Sequence, residues 1–273
     1  MDILNKKTEN TKIGLCLSGG GALGFAHIGV LQALLENGII PDYISGSSMG
    51  AIVGTLYAAG YSPDDMMQMI REDRLYRVSK LMTFKPKFWK SGFSDHSTVR
   101  KLILETIPHN SFDKLACKMH VCVVNTNTME WEIKSSGGDL DAWVSASASI
   151  PGVFEAYEKD GIFYIDGGLL NNLPAQPLKP LCDKIIGVDV LPYYPPQKMK
   201  KPIDAITTSI RGVQHVNSLE GRSICDFIIE PTVVRRLNEF RFDAYQRIFK
   251  QGYRDAMVYI RTHPEILKLK AIK

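Results

Sequence analysis

From the amino terminus, short apolar runs alternate with longer stretches of helical spacing. Lys12 to Ser18 (Lys-Ile-Gly-Leu-Cys-Leu-Ser) has the length of a buried strand and ends on three glycines, and Phe25 to Asn37 follows with helical apolar spacing and Gly38 as its C-cap. Pro41 to Ile44 predicts a second short strand, Gly46 to Gly50 a tight turn, and Ala51 to Ala59 a small-residue helix ended by Gly60. Ser62-Pro63-Asp64-Asp65 places an N-cap serine, a proline and two acids where a helix begins, and that helix is expected to reach about Arg74. Ser97 to Ile107 is a further amphipathic helix.

Met119 to Val124 and Trp131 to Lys134 read as strands in a hairpin-like pair around Asn125 to Met129, and Ala142 to Ile150 as a helix stopped by Pro151. Phe163 to Ile165 is a strand entering Asp166-Gly167-Gly168, and Lys184 to Val190 is apolar enough for a buried parallel strand. Leu191 to Pro202, with four prolines and three lysines, reads as a surface loop. Ile203 to Arg222 is expected as a helix, Phe227 to Glu230 as a short strand and Phe242 to Thr262 as a long closing helix. Strands alternating with helices imply an α/β class: one domain over 1–273, three-layer α/β/α with a mostly parallel central sheet, its core at about 12–230 and its C-terminal helix at about 242–262.

Composition narrows the class. With 45% hydrophobic and 23% charged residues the chain has ordinary globular values, which excludes disordered, collagenous and disulfide-scaffold proteins. A net charge of +4 provides no overall field for nucleic acid, which is not expected as a partner. Five scattered cysteines, Cys16, Cys117, Cys122, Cys182 and Cys225, point to a reducing compartment. Met1 to Lys12 is polar, and no stretch approaches the roughly 18 apolar residues needed to span a bilayer. The expectation is a soluble cytoplasmic protein, with any membrane contact peripheral, at the inner surface.

Three elements carry candidate chemistry. Gly46-Ser47-Ser48-Met49-Gly50 fits G-x-S-x-G between an expected strand and an expected helix, the setting in which a strained turn exposes a nucleophilic serine. Ser18-Gly19-Gly20-Gly21-Ala22-Leu23-Gly24 leaves several N–H groups unshielded at a helix start, a cradle for a phosphate or an oxyanion. Gly19, Gly21 and Gly24 also satisfy the dinucleotide fingerprint G-x-G-x-x-G, but a serine turn follows where an acid on a second strand is required. Asp166-Gly167-Gly168 leaves an apolar strand, and alone it reads as a simple turn. A nucleophilic serine needs a base, which the usual triad supplies as histidine. His27, His96, His109 and His120 carry no motif, and only His215 and His263 follow Asp166 in Ser-Asp-His order.

Together these elements resemble the patatin-like phospholipase family, also called the neuropathy-target-esterase type, over roughly Ile13 to Glu230. The resemblance rests on Gly19 to Leu31, on Gly46 to Gly50, on Ala146-Ser147-Ala148-Ser149-Ile150-Pro151-Gly152-Val153-Phe154 and on Asp166-Gly167-Gly168. One position departs from it: the family usually carries arginine or lysine where this chain has Leu23. The resemblance implies a patatin-like fold and a serine hydrolase of acyl esters of phospholipids, lysophospholipids and related lipids. Ser48 is the implied nucleophile and Asp166 its only side-chain base. Backbone amides of Gly19, Gly20, Gly21 and Met49 are the implied oxyanion hole, with Gly24, Gly46, Gly50, Gly167 and Gly168 supporting the motifs. No metal or organic cofactor is implied, and oligomeric state is left open.

Leu75 to Gly92 adds an independent hint. It holds Arg77, Lys80, Lys85, Lys87 and Lys90 without an acid, interleaved with Tyr76, Phe84, Phe88 and Trp89. Each such cation contributes about 1 kcal/mol at an anionic bilayer, and aromatic rings favour the interface. The segment is expected as a lid or membrane-facing edge; its competing reading is a solvated loop whose rings pack on the core. Two other functions stay open: acyl transfer to coenzyme A or a carrier protein, which needs a histidine base, and a patatin scaffold that binds lipid or a partner without turnover.

Overall fold

β1 (Ile13–Leu17) is buried at every position and sits inside the sheet. The computed structural model describes residues 11–72, 97–152, 154–195, 199, 202–232, 237 and 241–270, so Leu75 to Gly92 and its expected lid lie outside the described residues. α1 (Phe25–Glu36), β2 (Tyr43–Ser47), α2 (Met49–Ala58), α3 (Pro63–Arg71), α4 (Ser97–Thr106), β3 (Lys118–Asn125), β4 (Glu130–Lys134) and α5 (Leu140–Ser147) follow. The chain continues with β5 (Tyr157–Lys159), β6 (Ile162–Asp166), β7 (Lys184–Val188), α6 (Pro202–Ile224), β8 (Phe227–Ile229) and α7 (Tyr245–Thr262). The strands β3-β2-β1-β7-β8 run parallel in that order, while β4, β5 and β6 add antiparallel pairs at the β3 end, making an eight-stranded, mostly parallel sheet.

Alternation along β1 explains the layers. Ile13, Leu15 and Leu17 point into a large core with Ile44, Val121, Val123, Ile186 and Val188, against apolar residues of α1 to α5 and α7. Cys16 points the other way, into a smaller core with Leu173, Ala175, Leu178, Ile185 and Ile224 of α6. A parallel sheet apolar on both faces must be covered on both, and these two layers do so. Among the described residues no helix is long and apolar enough to cross a membrane.

The largest helix contact joins α1 to α7, where Gly29 and Gly252 face the partner backbone. A Cβ on Gly29 would lie 2.6 Å from the Tyr253 nitrogen and closer still to the Phe249 carbonyl, so only glycine lets the helices approach.

Several boundaries differ from the sequence expectation. β2 runs on through Gly46 and Ser47, which pair in register with Val121 and Cys122, so the expected turn from Gly46 to Gly50 shrinks to Ser48 alone. The helix expected from Ala142 begins at Leu140 and ends at Ser147, well before Pro151. The strand expected to reach Val190 stops at Val188. β5 has three residues, too few to show alternation, and the closing helix opens with a 3-10 turn at Phe242–Ala244.

One feature of register prepares the site. Residues 118–122 of β3 pair with β2, residues 123–125 with β6, and residues 121–125 with β4. Since 121 and 122 serve β2 and β4 together, and 123–125 serve β4 and β6 together, β2 and β6 lie end to end on the edge of β3 opposite β4. Ser47 faces Cys122 and Asp166 faces Val123, adjacent rungs of one ladder.

Gly29→Ala is expected to destabilise the fold by about 1–3 kcal/mol through overpacking of α1 on α7, measured as a shift of the urea midpoint at unchanged m-value.

Candidate active site

The glycine loop leaving β1 is held at successive peptide groups. Ser18 N–H donates to the Val188 carbonyl (3.0 Å), and the Ser18 carbonyl accepts from His27 Nε2 (2.8 Å). A carbonyl only accepts, so His27 carries its proton on Nε2, and burial drops its pKa from 6.5 to about 4. Ser18 Oγ accepts from Val190 N–H (3.0 Å) and donates to the Gly19 carbonyl (3.0 Å), and the Gly20 carbonyl accepts from Leu23 N–H (3.1 Å). In a trans peptide the N–H points opposite to the carbonyl, so anchoring the Gly19 and Gly20 carbonyls turns the amides of Gly20 and Gly21 away from those anchors. Among the described residues neither amide meets an acceptor. Gly19 differs: its N–H is engaged by the Asn172 carbonyl (3.1 Å), so it is not free to meet an oxyanion. Leu23 is fully buried.

β2 delivers Ser48 into a backbone conformation with φ 54° and ψ −123°, a strained geometry for a residue with a side chain. α2 starts at once with Met49, whose N–H, like others in a first helical turn, has no partner inside the helix. Gly46 and Gly50 permit this sharp reversal: a Cβ on Gly46 would come within 2.6 Å of the Gly50 carbonyl group, and one on Gly50 within 2.6 Å of the Ser18 carbonyl oxygen. Gly24 leaves room for Met49 in the same way. The strained turn is clamped from α5, because Ser48 N–H donates to Ser147 Oγ (2.9 Å) and that hydroxyl donates to the Cys122 carbonyl (2.6 Å).

Asp166 ends β6 beside this turn, 2% exposed. Its Oδ1 accepts from Gly168 N–H (2.8 Å), the Ser48 hydroxyl is near enough to favour the charged form of its carboxyl group, and its own N–H donates to the Ser149 carbonyl (3.0 Å). Gly167 packs against the Cys122 backbone and Ser47. Burial pushes the Asp166 carboxyl from 3.8 up to about 7, against the lowering effect of the neighbouring Ser48 hydroxyl and of the Gly168 hydrogen bond.

Histidine is absent from this arrangement among the described residues. His120 Nδ1 meets the Ile44 carbonyl, the His215 ring lies against Tyr193, and His263 stacks on Tyr259. Nor do three His, Cys, Asp or Glu side chains converge as a metal site among the described residues. Ser48, Asp166, Met49, Gly24, Gly46, Gly50, Gly167 and Gly168 pack around one turn, and the unpaired amides of Gly20 and Gly21 belong to the adjoining loop. Ser18, His27, Ser147 and Asn172 are positioning groups that sequence reasoning left without a role; the first three lie within the motifs the sequence marked, and Asn172 carried no signal.

A family model described as Patatin-like phospholipase matches residues 15–179 of the 273. The chain belongs to the patatin-like phospholipase family. It is 32% identical over 171 residues to an uncharacterized NTE family protein of Mycobacterium tuberculosis, covering 63% of this chain and 46% of that one. It is 31% identical over 186 residues to lysophospholipase NTE1 of Saccharomyces cerevisiae, covering 65% of this chain and 11% of that one. This chain thus spans less than half of either relative. VipD from Legionella pneumophila shares the fold, with a TM-score of 0.53 and 16% identity over 93% of this chain and 67% of that one.

In this patatin-like chain the buried Asp166 carries a stability consequence. Between pH 3.8 and about 7 the folded state keeps a proton that the unfolded chain has released. Stability therefore falls as pH rises through that window. Asp166→Asn removes the ionisation, so its melting temperature is expected to exceed the wild type at pH 8 and to converge on it as pH falls toward 4, read by thermal denaturation across pH.

Proposed function

We propose that this chain hydrolyses carboxyl esters of phospholipids, lysophospholipids or related acyl lipids through a Ser48/Asp166 dyad. The observation that carries the reading is that strand register brings Ser48 beside a buried carboxyl group raised to about 7, with no histidine nitrogen at either residue among those described. A carboxylate with an ordinary pKa is a weak base at neutral pH; desolvation brings Asp166 close to the working pH, where a general base is most effective. Membership of the family and the name of the yeast relative support the lipid ester as substrate.

Asp166 takes the proton as Ser48 Oγ attacks the ester carbonyl. The tetrahedral oxyanion is received by the amides of Gly20 and Gly21, with Met49 at the start of α2. Each such donor contributes about 3 kcal/mol to transition-state stabilisation. Collapse breaks the bond to the leaving alcohol, which receives the proton from Asp166, and the acyl group stays on Ser48 until water removes it. Acyl transfer to coenzyme A or a carrier protein through a histidine base has no support in this geometry.

The test compares wild type with Ser48→Ala and Asp166→Asn, using a fluorescent fluorophosphonate and a p-nitrophenyl ester. Ser48→Ala is expected to lose all labelling, and Asp166→Asn to lose on the order of 10³-fold or more in kcat/KM. In the wild type kcat/KM should rise with pH to a plateau with its midpoint at about 7. Labelling that persists in Ser48→Ala contradicts the proposal.

A further inference from the structure

Gly168 presents a face without a side chain, and three polar atoms gather around it. Measured from where a Cβ on Gly168 would stand, Asn172 Oδ1 is 2.7 Å away, Asp166 Oδ1 3.0 Å and Gln214 Nε2 3.2 Å. No hydrogen bond joins these three atoms to one another. Asn172 is 1% exposed, and among the described residues its Oδ1 meets no donor. Leaving a buried acceptor unmatched costs about 1–3 kcal/mol, so its presence beside reacting atoms calls for a use.

The reacting atoms are close. The same Oδ1 lies 2.6 Å from where a Cβ on Gly19 would stand, a point 3.2 Å from Ser48 Cβ. The backbone of Asn172 already ties the frame together: its N–H donates to Asn217 Oδ1 (2.8 Å), its carbonyl accepts from Gly19 (3.1 Å), and Asn217 Nδ2 donates to the carbonyls of Gly168 (3.2 Å) and Leu169 (2.7 Å). The Asn172 side-chain oxygen takes no part in that frame.

We propose that Asn172 and Gln214 are positioning residues for the water that hydrolyses the acyl-serine, an inference that rests on the Ser48/Asp166 reading. Two acceptors facing one gap, Asn172 Oδ1 and the Asp166 carboxylate, match the two hydrogens of a single water molecule. Gln214 Nε2–H donates to the water oxygen and leaves its second lone pair for attack. That oxygen bonds to the acyl carbon while its proton passes to Asp166. The C–Oγ bond then breaks, Asp166 returns the proton to Ser48 Oγ, and the fatty acid departs. Formation of the acyl-serine uses no water, so these two side chains act on the second half of the cycle.

The halves are separable by experiment. The rate of Ser48 phosphonylation by a fluorophosphonate reports attack by the nucleophile, p-nitrophenyl ester turnover reports the whole cycle, and intact mass during turnover reports the acyl-serine. Asn172→Ala is expected to keep phosphonylation within about twofold, to lower turnover about tenfold or more, and to accumulate the acyl adduct. Gln214→Leu, at a half-buried position on α6, should show the same pattern more weakly, and it keeps the test open if Asn172→Ala does not fold. Phosphonylation and turnover falling together, or turnover unchanged in both variants, overturns this inference alone. A wild type that takes no phosphonate at Ser48 overturns the dyad reading and this one with it.

Discussion

The site depends on the register along one edge of β3. Two strands far apart in sequence, β2 and β6, share that edge end to end, so the residue after Ser47 and the last residue of β6 arrive at the same place. Backbone pairing fixes the approach of Ser48 and Asp166 before any side-chain contact is made. The strained φ of Ser48 is sustained because three elements hold it: β2 before it, α2 after it and Ser147 of α5 across its N–H.

Burial then supplies the chemistry. The end of β6 is buried, and a carboxyl group placed there loses its preference for the charged form. That cost to folding is what brings Asp166 near neutrality, the property on which the proposed dyad depends. His27 has been moved in the opposite direction by the same desolvation, and it serves as a neutral clamp on the Ser18 carbonyl instead. Together with the Ser18 hydroxyl it orients the peptides that carry the Gly20 and Gly21 amides, so their directions are set before a substrate arrives. Leu23, where the family usually has a cation, packs in the core, and the loop is held by these neutral hydrogen bonds.

What the sequence made legible is local backbone geometry. A serine flanked by glycines between a strand and a helix, and an aspartate followed by two glycines, have few physical solutions, so Ser48 and Asp166 stand out as candidates from the chain alone. Contacts distant in sequence were not legible: Gly19 N–H is taken by Asn172, and Val190 N–H finds Ser18 Oγ. Nothing local marks which glycine amide will find a distant carbonyl. The length of β2 was misjudged because Gly46 is a poor strand residue by composition, and its pairing on both sides overrides that preference. The histidines illustrate the same limit, since burial, not spacing, decides that His27 is inert as a base.

The protonation state of Asp166 is the most direct test of this account. Infrared difference spectra of wild type against Asp166→Asn, recorded across pH, isolate the stretch of this one carboxyl group. The account predicts a protonated carboxylic acid band at pH 5 that gives way to carboxylate with a midpoint at about 7. A carboxylate band already complete at pH 5 would contradict it, because an ordinary, solvated aspartate cannot do the work assigned to it here.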